Sequence, residues 1–151
     1  MSFKNPNQEK IFQYLDEAKV IAVVGLSDNP DKTSYQIADV LKNYGYKLYG
    51  VNPKLAGQKV NDIPVVENLS AVPETIDIVD IFRRSEFLPA VAEDFLKTDA
   101  KVFWAQLGLC SEEAAEMLQA QGRNDIVMDR CVKIELNKKS NDWVDFLKKK
   151  A

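Results

Sequence analysis

Five short stretches carry the residues able to bind or react: Gly25-Leu26-Ser27, Asn52-Pro53-Lys54, Arg83-Arg84, Ala105-Gln106-Leu107-Gly108 and Asp129-Arg130-Cys131. In the first, Gly25 and Ser27 precede Thr33 and Ser34 at the start of a helix. Backbone N–H groups, hydroxyls and the positive end of a helix dipole together attract an anion such as phosphate. A plain strand-to-helix turn with an N-cap needs the same residue types, so the pattern leaves both readings open. It is not G-x-G-x-x-G, because Ser27 and Pro30 stand where further glycines would be. A dinucleotide's pyrophosphate would lose its closest backbone approach there.

After the second strand a nicotinamide-binding protein offers Asp or Glu to the adenosine ribose. Here Asn52-Pro53-Lys54 follows, which supplies no carboxylate. Lys54 would instead meet a phosphate carried on that ribose, or simply be a solvated lysine after an Asn-Pro turn. Arg83 and Arg84 can grip phosphate bidentately; pairing with Asp80 or Glu86 is the alternative. Gln106 and Gly108 offer polar and backbone contacts, or only a glycine turn. Asp129-Arg130 suits either an internal ion pair or a ligand contact. Arg130 and Lys133 flank Cys131 and would raise its thiolate fraction, whereas burial would leave it inert; Cys110 has no such company. The sequence holds no histidine, which excludes Ser-His-Asp and Cys-His catalysis, His-ligated zinc and imidazole acid–base chemistry. The two cysteines are not in metal-ligand spacing.

These stretches must be positioned by alternating strands and helices. Val20–Val24 is a continuous apolar run suited to a strand buried on both faces of a parallel sheet. Further strands are expected at Lys47–Val51, Ile76–Phe82, Lys101–Trp104 and Ile126–Met128. Helices are expected at Gln8–Ala18, from Thr33 or Ser34 to a stop at Gly45, at Ser85–Lys97, from a Ser111 cap to Gln121, and at Asn141–Lys149. Thr33 and Gln36 are spaced for a capping box. Val132–Leu136 reads as β-like, and Lys59–Val72 as irregular, with room for a minor strand and a single turn. The expected fold is α/β: a doubly wound, mainly parallel sheet of about five strands with helices on both faces.

The 151 residues are one domain's worth of chain, 46% hydrophobic and 28% charged, an ordinary globular mixture. A net charge of −3 argues against a broad nucleic-acid or anionic-membrane surface. No apolar run approaches the roughly 20 residues of a membrane span, and no signal-peptide core opens the sequence, so a cytoplasmic location is expected.

The runs IAVVGLS, TSYQIADVLKNYGY, YGVNPK, IDIVDIFRR, VFWAQLG and MDRCVKIE, in that order, resemble the stand-alone CoA-binding domain family over roughly Lys19–Glu135. That family is similar to the N-terminal CoA-binding domain of the succinyl-CoA synthetase α-subunit. The resemblance implies a Rossmann-like fold and a site for coenzyme A, whose 3′-phosphate suits the acid-free second strand. It implies that Gly25, Leu26 and Ser27 line the pyrophosphate side, with Ser34 and Tyr35 opening the helix below. Asn52, Pro53 and Lys54 would lie near the adenosine, Phe82 and Arg83 along the nucleotide or pantetheine path, and Gln106, Leu107 and Gly108 on the neighbouring wall. A pantetheine arm there would bring the CoA thiol to Cys131 and permit a mixed disulfide under oxidising conditions. The synthetase's phosphohistidine chemistry has no counterpart in a chain without histidine.

The expected function is therefore a CoA- or acyl-CoA-binding module without catalytic machinery, a sensor, carrier or accessory protein whose protein partner is unidentified. Two alternatives are an NADP-type oxidoreductase with a divergent loop and a ligand-free interaction domain. The oxidoreductase would lack a Tyr-x-x-x-Lys pair: Leu48 and Gly50 follow Tyr44 and Tyr46 at that spacing.

Overall fold

A computed structural model describes residues 3–140. Its centre is β1 (Val20–Val24), whose five residues are all buried. Five β-branched or small apolar residues in a row leave no polar face, so only a position with packing on both sides satisfies them. The chain runs from α1 (Gln8–Glu17) through β1, α2 (Thr33–Asn43) and β2 (Lys47–Val51) to a hairpin of β3 (Lys59–Val60) and β4 (Ile63–Val66). It continues through β5 (Ile78–Ile81), α3 (Leu88–Leu96), β6 (Val102–Ala105), α4 (Glu112–Ala120) and β7 (Ile126–Val127). Residues 132–140 form a further helix, α5.

The strands make one sheet in the order β3-β4-β2-β1-β5-β6-β7. All pairings are parallel except β3 with β4. Succession runs outward from β1 through β2 to the hairpin, then returns to β5 on the other side. The topological switch therefore falls beside β1, where such sheets bind ligands at the strands' carboxyl ends.

Alternation along the strands divides the core into two layers. Val20, Ala22 and Val24 face α3 and α4, where Phe95 and Phe103 meet edge to face at 5.6 Å. Ile21 and Val23 face α1, α2 and α5, through Ile11, Leu15, Ile37, Leu41, Val132 and Leu136. Pro89 sits in the first turn of α3, where the missing N–H costs nothing. Among the described residues no helix is long and apolar enough to cross a membrane, and no cluster of metal-ligating side chains occurs.

The sheet has seven strands rather than about five. β3 and β4 occupy part of the stretch read as irregular, joined by Asn61 and Asp62, both left-handed (φ 49° and 64°). That is the backbone of a two-residue hairpin turn, which Asn and Asp tolerate best after glycine. The β-like reading of Val132–Leu136 is also overturned. The segment is helical, and Val132, Glu135 and Leu136 turn inward at i, i+3 and i+4. The Thr33–Gln36 capping box does not form: Lys32 is the N-cap and makes no side-chain cap bond. Gln36 Nε2 donates to the Pro30 carbonyl at 3.2 Å instead. Ser111 caps α4 as expected, accepting from the Ala114 N–H. The helix expected at Asn141–Lys149 lies outside the described residues.

Candidate functional site

The turn after β1 is set by Gly25. Its φ is +86°, and a Cβ there would stand 3.3 Å from the Phe82 carbonyl and 3.4 Å from Arg83 Cγ. Only glycine combines that conformation with that approach. Its N–H donates to the Val51 carbonyl at 2.9 Å, drawing the ends of β1 and β2 together. Gly50 in β2 is needed for a second close approach: a Cβ would meet Leu26 Cδ2 at 2.6 Å.

Beyond Gly25 the loop is stitched by its own polar groups. The Ser27 N–H donates to Ser34 Oγ and the Asn29 N–H to Ser27 Oγ, each at 3.0 Å. Asn52 joins this loop to the next: Nδ2 donates to the Leu26 carbonyl and Oδ1 accepts from the Lys54 N–H, both at 3.0 Å. The side chain therefore ties two strand-end loops and starts the short turn Pro53–Leu55.

A cleft of about 440 Å³ opens over these strand ends, with Gly25, Asn52, Pro53, Lys54 and Arg83 on its walls. Lys54 and Arg83 are exposed and have no carboxylate partner among the described residues. The Arg83 guanidinium lies 4.3 Å from the Phe87 ring centre, which steadies it without neutralising it. Arg84 is spent differently, on Glu86 at 3.2 Å. Glu67, Ala90, Val91 and Asp94 close the other wall. Sequence reading missed all four, because the packing of α3 and the loop after β4 brings them in from distant positions. Asp94 Oδ2 accepts the Leu69 N–H at 3.0 Å, leaving Glu67 as the more available acceptor.

Five of the expected residues thus share the cleft, and the other eight are not among its lining residues. The Leu26 side chain is fully buried in the core, so only its backbone can face a ligand. Ser34 is buried, and Tyr35 and Phe82 pack half-buried against the α1–α2–α5 layer. Gln106 is buried, its Oε1 accepting the Val132 N–H at 3.1 Å. Leu107 beside it is 62% exposed. Gly108 (φ +85°) donates to Asp129 Oδ1 at 2.6 Å.

Asp129 and Arg130 form no ion pair with each other. Arg130 approaches the buried Glu135 at 3.7 Å, and its Nη1 donates to the Asp129 carbonyl. That directs part of the charge near Cys131 elsewhere. Cys131 is half-buried against the second layer, while Cys110 is the exposed thiol and lies at a separate cleft of about 210 Å³ with Arg130 and Phe3.

One buried acid on the site's own strand remains. Asp80 is fully buried in β5, in register with Val23 and Trp104, and neither carboxyl oxygen has a hydrogen-bond partner among the described residues. Burial pushes its pKa well above the usual carboxylate range. It pairs with neither Arg83 nor Arg84.

Comparison with known proteins bears on the family and the fold. A Bacillus subtilis protein, YneT, is 47% identical over 131 residues, 87% of this chain and 95% of its own length. The structure of cell-free ID.343 from Thermus thermophilus superposes with a TM-score of 0.83 at 28% identity, covering 89% of this chain and 99% of that one. The α subunit of acetate–CoA ligase (ADP-forming) I from Pyrococcus furiosus is 33% identical over 88 residues, 56% of this chain but only 19% of the subunit. The family model described as a CoA binding domain matches residues 19–137, and the chain belongs to that CoA-binding domain family.

Proposed function

We propose that the chain binds coenzyme A or an acyl-CoA at the carboxyl end of the sheet, as a module without chemistry of its own. The observation that carries the reading is the pair Lys54 and Arg83, cations without carboxylate partners among the described residues, flanking the Gly25 turn in one cleft. Nucleotide phosphates would lie between them, and Asn52 in place of an acid admits a phosphate on the ribose rather than repelling it. Glu67 on the far wall supplies an acceptor for the ribose or the adenine amino group. The α-subunit of a CoA ligase contains a stretch like this one, which supports the ligand class. The absence of histidine supports binding without catalysis, and a cytoplasmic setting belongs to the same reading.

Thermal unfolding with CoA, dephospho-CoA and NAD tests it. CoA at a hundred times its Kd should stabilise the fold by about 2.7 kcal/mol, and NAD should not. Lys54→Ala should weaken CoA more than dephospho-CoA, because only CoA carries the 3′-phosphate. A shift with NAD or NADH and none with CoA would sink the reading.

A further inference from the structure

We propose that Asp129 is the positioning residue for the outer wall of the site, holding the Gln106–Gly108 loop in place for the ligand's arm; this rests on the CoA reading above. Asp129 is exposed, and its backbone is left-handed at φ 58°, a conformation that costs Asp less than most residues but more than glycine. Such strain persists only where the surroundings over-determine it. Here they do. Asp129 Oδ1 accepts the Gly108 N–H at 2.6 Å, and the Asp129 N–H donates to the Leu109 carbonyl at 3.0 Å. One residue therefore ties the loop after β6 to the loop after β7.

Its neighbours are fixed on both sides. Asn5 grips Met128 twice, Nδ2 donating to the carbonyl at 2.7 Å and Oδ1 accepting the N–H at 2.8 Å. Trp104 Nε1 donates to the Arg130 carbonyl at 2.9 Å, and the Val132 N–H to Gln106 Oε1 at 3.1 Å. An exposed carboxylate would be equally well hydrated elsewhere, so what the strained geometry achieves is the hold on Gly108. The loop it holds follows β6, two strands from β1. Two strand spacings are about 10 Å. A pantetheine arm of amide-like links spans roughly 15 Å when extended, so the wall lies within its reach from the Gly25 turn.

The test uses the full chain and two variants, Asp129→Gly and Asp129→Asn, read by NMR amide exchange at Gly108, by melting temperature and by CoA titration. Glycine removes the carboxylate while relieving the backbone; asparagine keeps an acceptor and tolerates the conformation. Asp129→Gly should speed Gly108 exchange and weaken CoA, each about tenfold, with no fall in melting temperature. Asp129→Asn should recover most of the affinity. Unchanged Gly108 exchange in Asp129→Gly would overturn the proposal, as would faster exchange with unaltered CoA affinity. Parallel losses of melting temperature and affinity in both variants would reduce Asp129 to a structural residue. A wild type with no affinity for CoA would overturn the CoA reading itself, while the exchange data would still show whether Asp129 holds the loop.

Discussion

The two ends of the sheet carry clefts of nearly equal volume, about 440 Å³ at the carboxyl end and about 450 Å³ at the amino end. Among the described residues they differ in how many cations their walls leave unpaired: Lys19 alone at the amino end, Lys54 and Arg83 together at the carboxyl end. At the amino end Lys47 is ion-paired with Glu74, and Lys139 with Asp16 at 3.1 Å. The Tyr46 hydroxyl there donates to the Leu15 carbonyl at 2.6 Å, and burial, with Asp16 nearby, pushes the phenol up to about 12. At the carboxyl end Lys54 and Arg83 face the cleft without carboxylate partners among the described residues, beside the switch in strand order. Size alone would choose neither end. The pair of unpaired cations at the topological switch favours the carboxyl end, because a polar group already satisfied has little left to give a ligand.

The two glycines Gly25 and Gly45 give the largest expected contrast, one in each cleft and both left-handed. Gly25→Ala combines backbone strain with crowding against Phe82 and Arg83, so it should cost about 2–4 kcal/mol of stability. It should also weaken CoA at least about tenfold, since the turn itself moves. A Cβ at Gly45 meets nothing within 4 Å. Gly45→Ala should therefore cost only the conformational share, about 1 kcal/mol, and leave CoA affinity alone. Urea denaturation and CoA titration of both variants decide the matter; a Gly45 variant that binds CoA as poorly as the Gly25 variant would place the site at the wrong end.

Next comes charge. Arg83→Ala should weaken CoA by about 1.5–3 kcal/mol, the range of a charge-assisted bond. Lys19→Ala, on the amino-end cleft, should change affinity by nothing measurable. Equal losses in a calorimetric titration would mean diffuse attraction, and the localised site would have to be given up.

The smallest effect is a slope with pH, read from two acids close together in the chain. Asp77 sits at the amino end of the sheet, where burial raises its pKa but the Val20 and Lys19 N–H groups and Lys101 outweigh it, for a net lowering. Its contribution to stability is present above the unfolded carboxylate pKa, about 4, and is lost as pH falls through the lower folded value. Asp80 is raised by burial, so the folded state holds its proton longer than the unfolded chain. Its stabilising share is complete below about pH 4 and declines as pH rises towards the folded pKa. Asp77→Asn should thus lose stability at neutral pH and match the wild type in acid. Asp80→Asn should lose little in acid and gain on the wild type as pH rises. Urea unfolding across pH checks both signs.

Much of this arrangement can be read in the residues. The apolar run of β1, the glycine that ends it and the alternation with amphipathic helices place the switch and the first loop. The minor strand expected in Lys59–Val72 is a hairpin of two, β3 and β4; the pairing escapes because the strands are only 2 and 4 residues long, although Asn61-Asp62 between Val60 and Ile63 was a usable turn signal. The helix over residues 132–140 escapes because two valines' worth of β-branching, Val132 and Ile134, outweighs a period that becomes clear only once Glu135 is known to be buried. At the site, residue types show which groups are polar but not which are already satisfied. Ser34 and Gln106 look like ligand contacts in the sequence and serve as internal ties in the fold. Glu67 and Asp94 gave no signal at all, since their nearness to Lys54 comes from tertiary packing.

The grip of Asn5 on Met128 has a consequence for where the cooperative unit begins. The family pattern starts at residue 19, yet residues before it complete the structure. Phe3 donates its N–H to the Glu112 carboxylate, Asn5 pairs both backbone groups of Met128, and α1 lays Ile11, Tyr14 and Leu15 on the inner face of the sheet. A chain trimmed to the family's limits would uncover that apolar face and leave Met128 without those partners, beside the loop that carries Asp129. The family model spans the nucleus of the fold, while part of the seal over it comes from residues 3–18, which lie before that match.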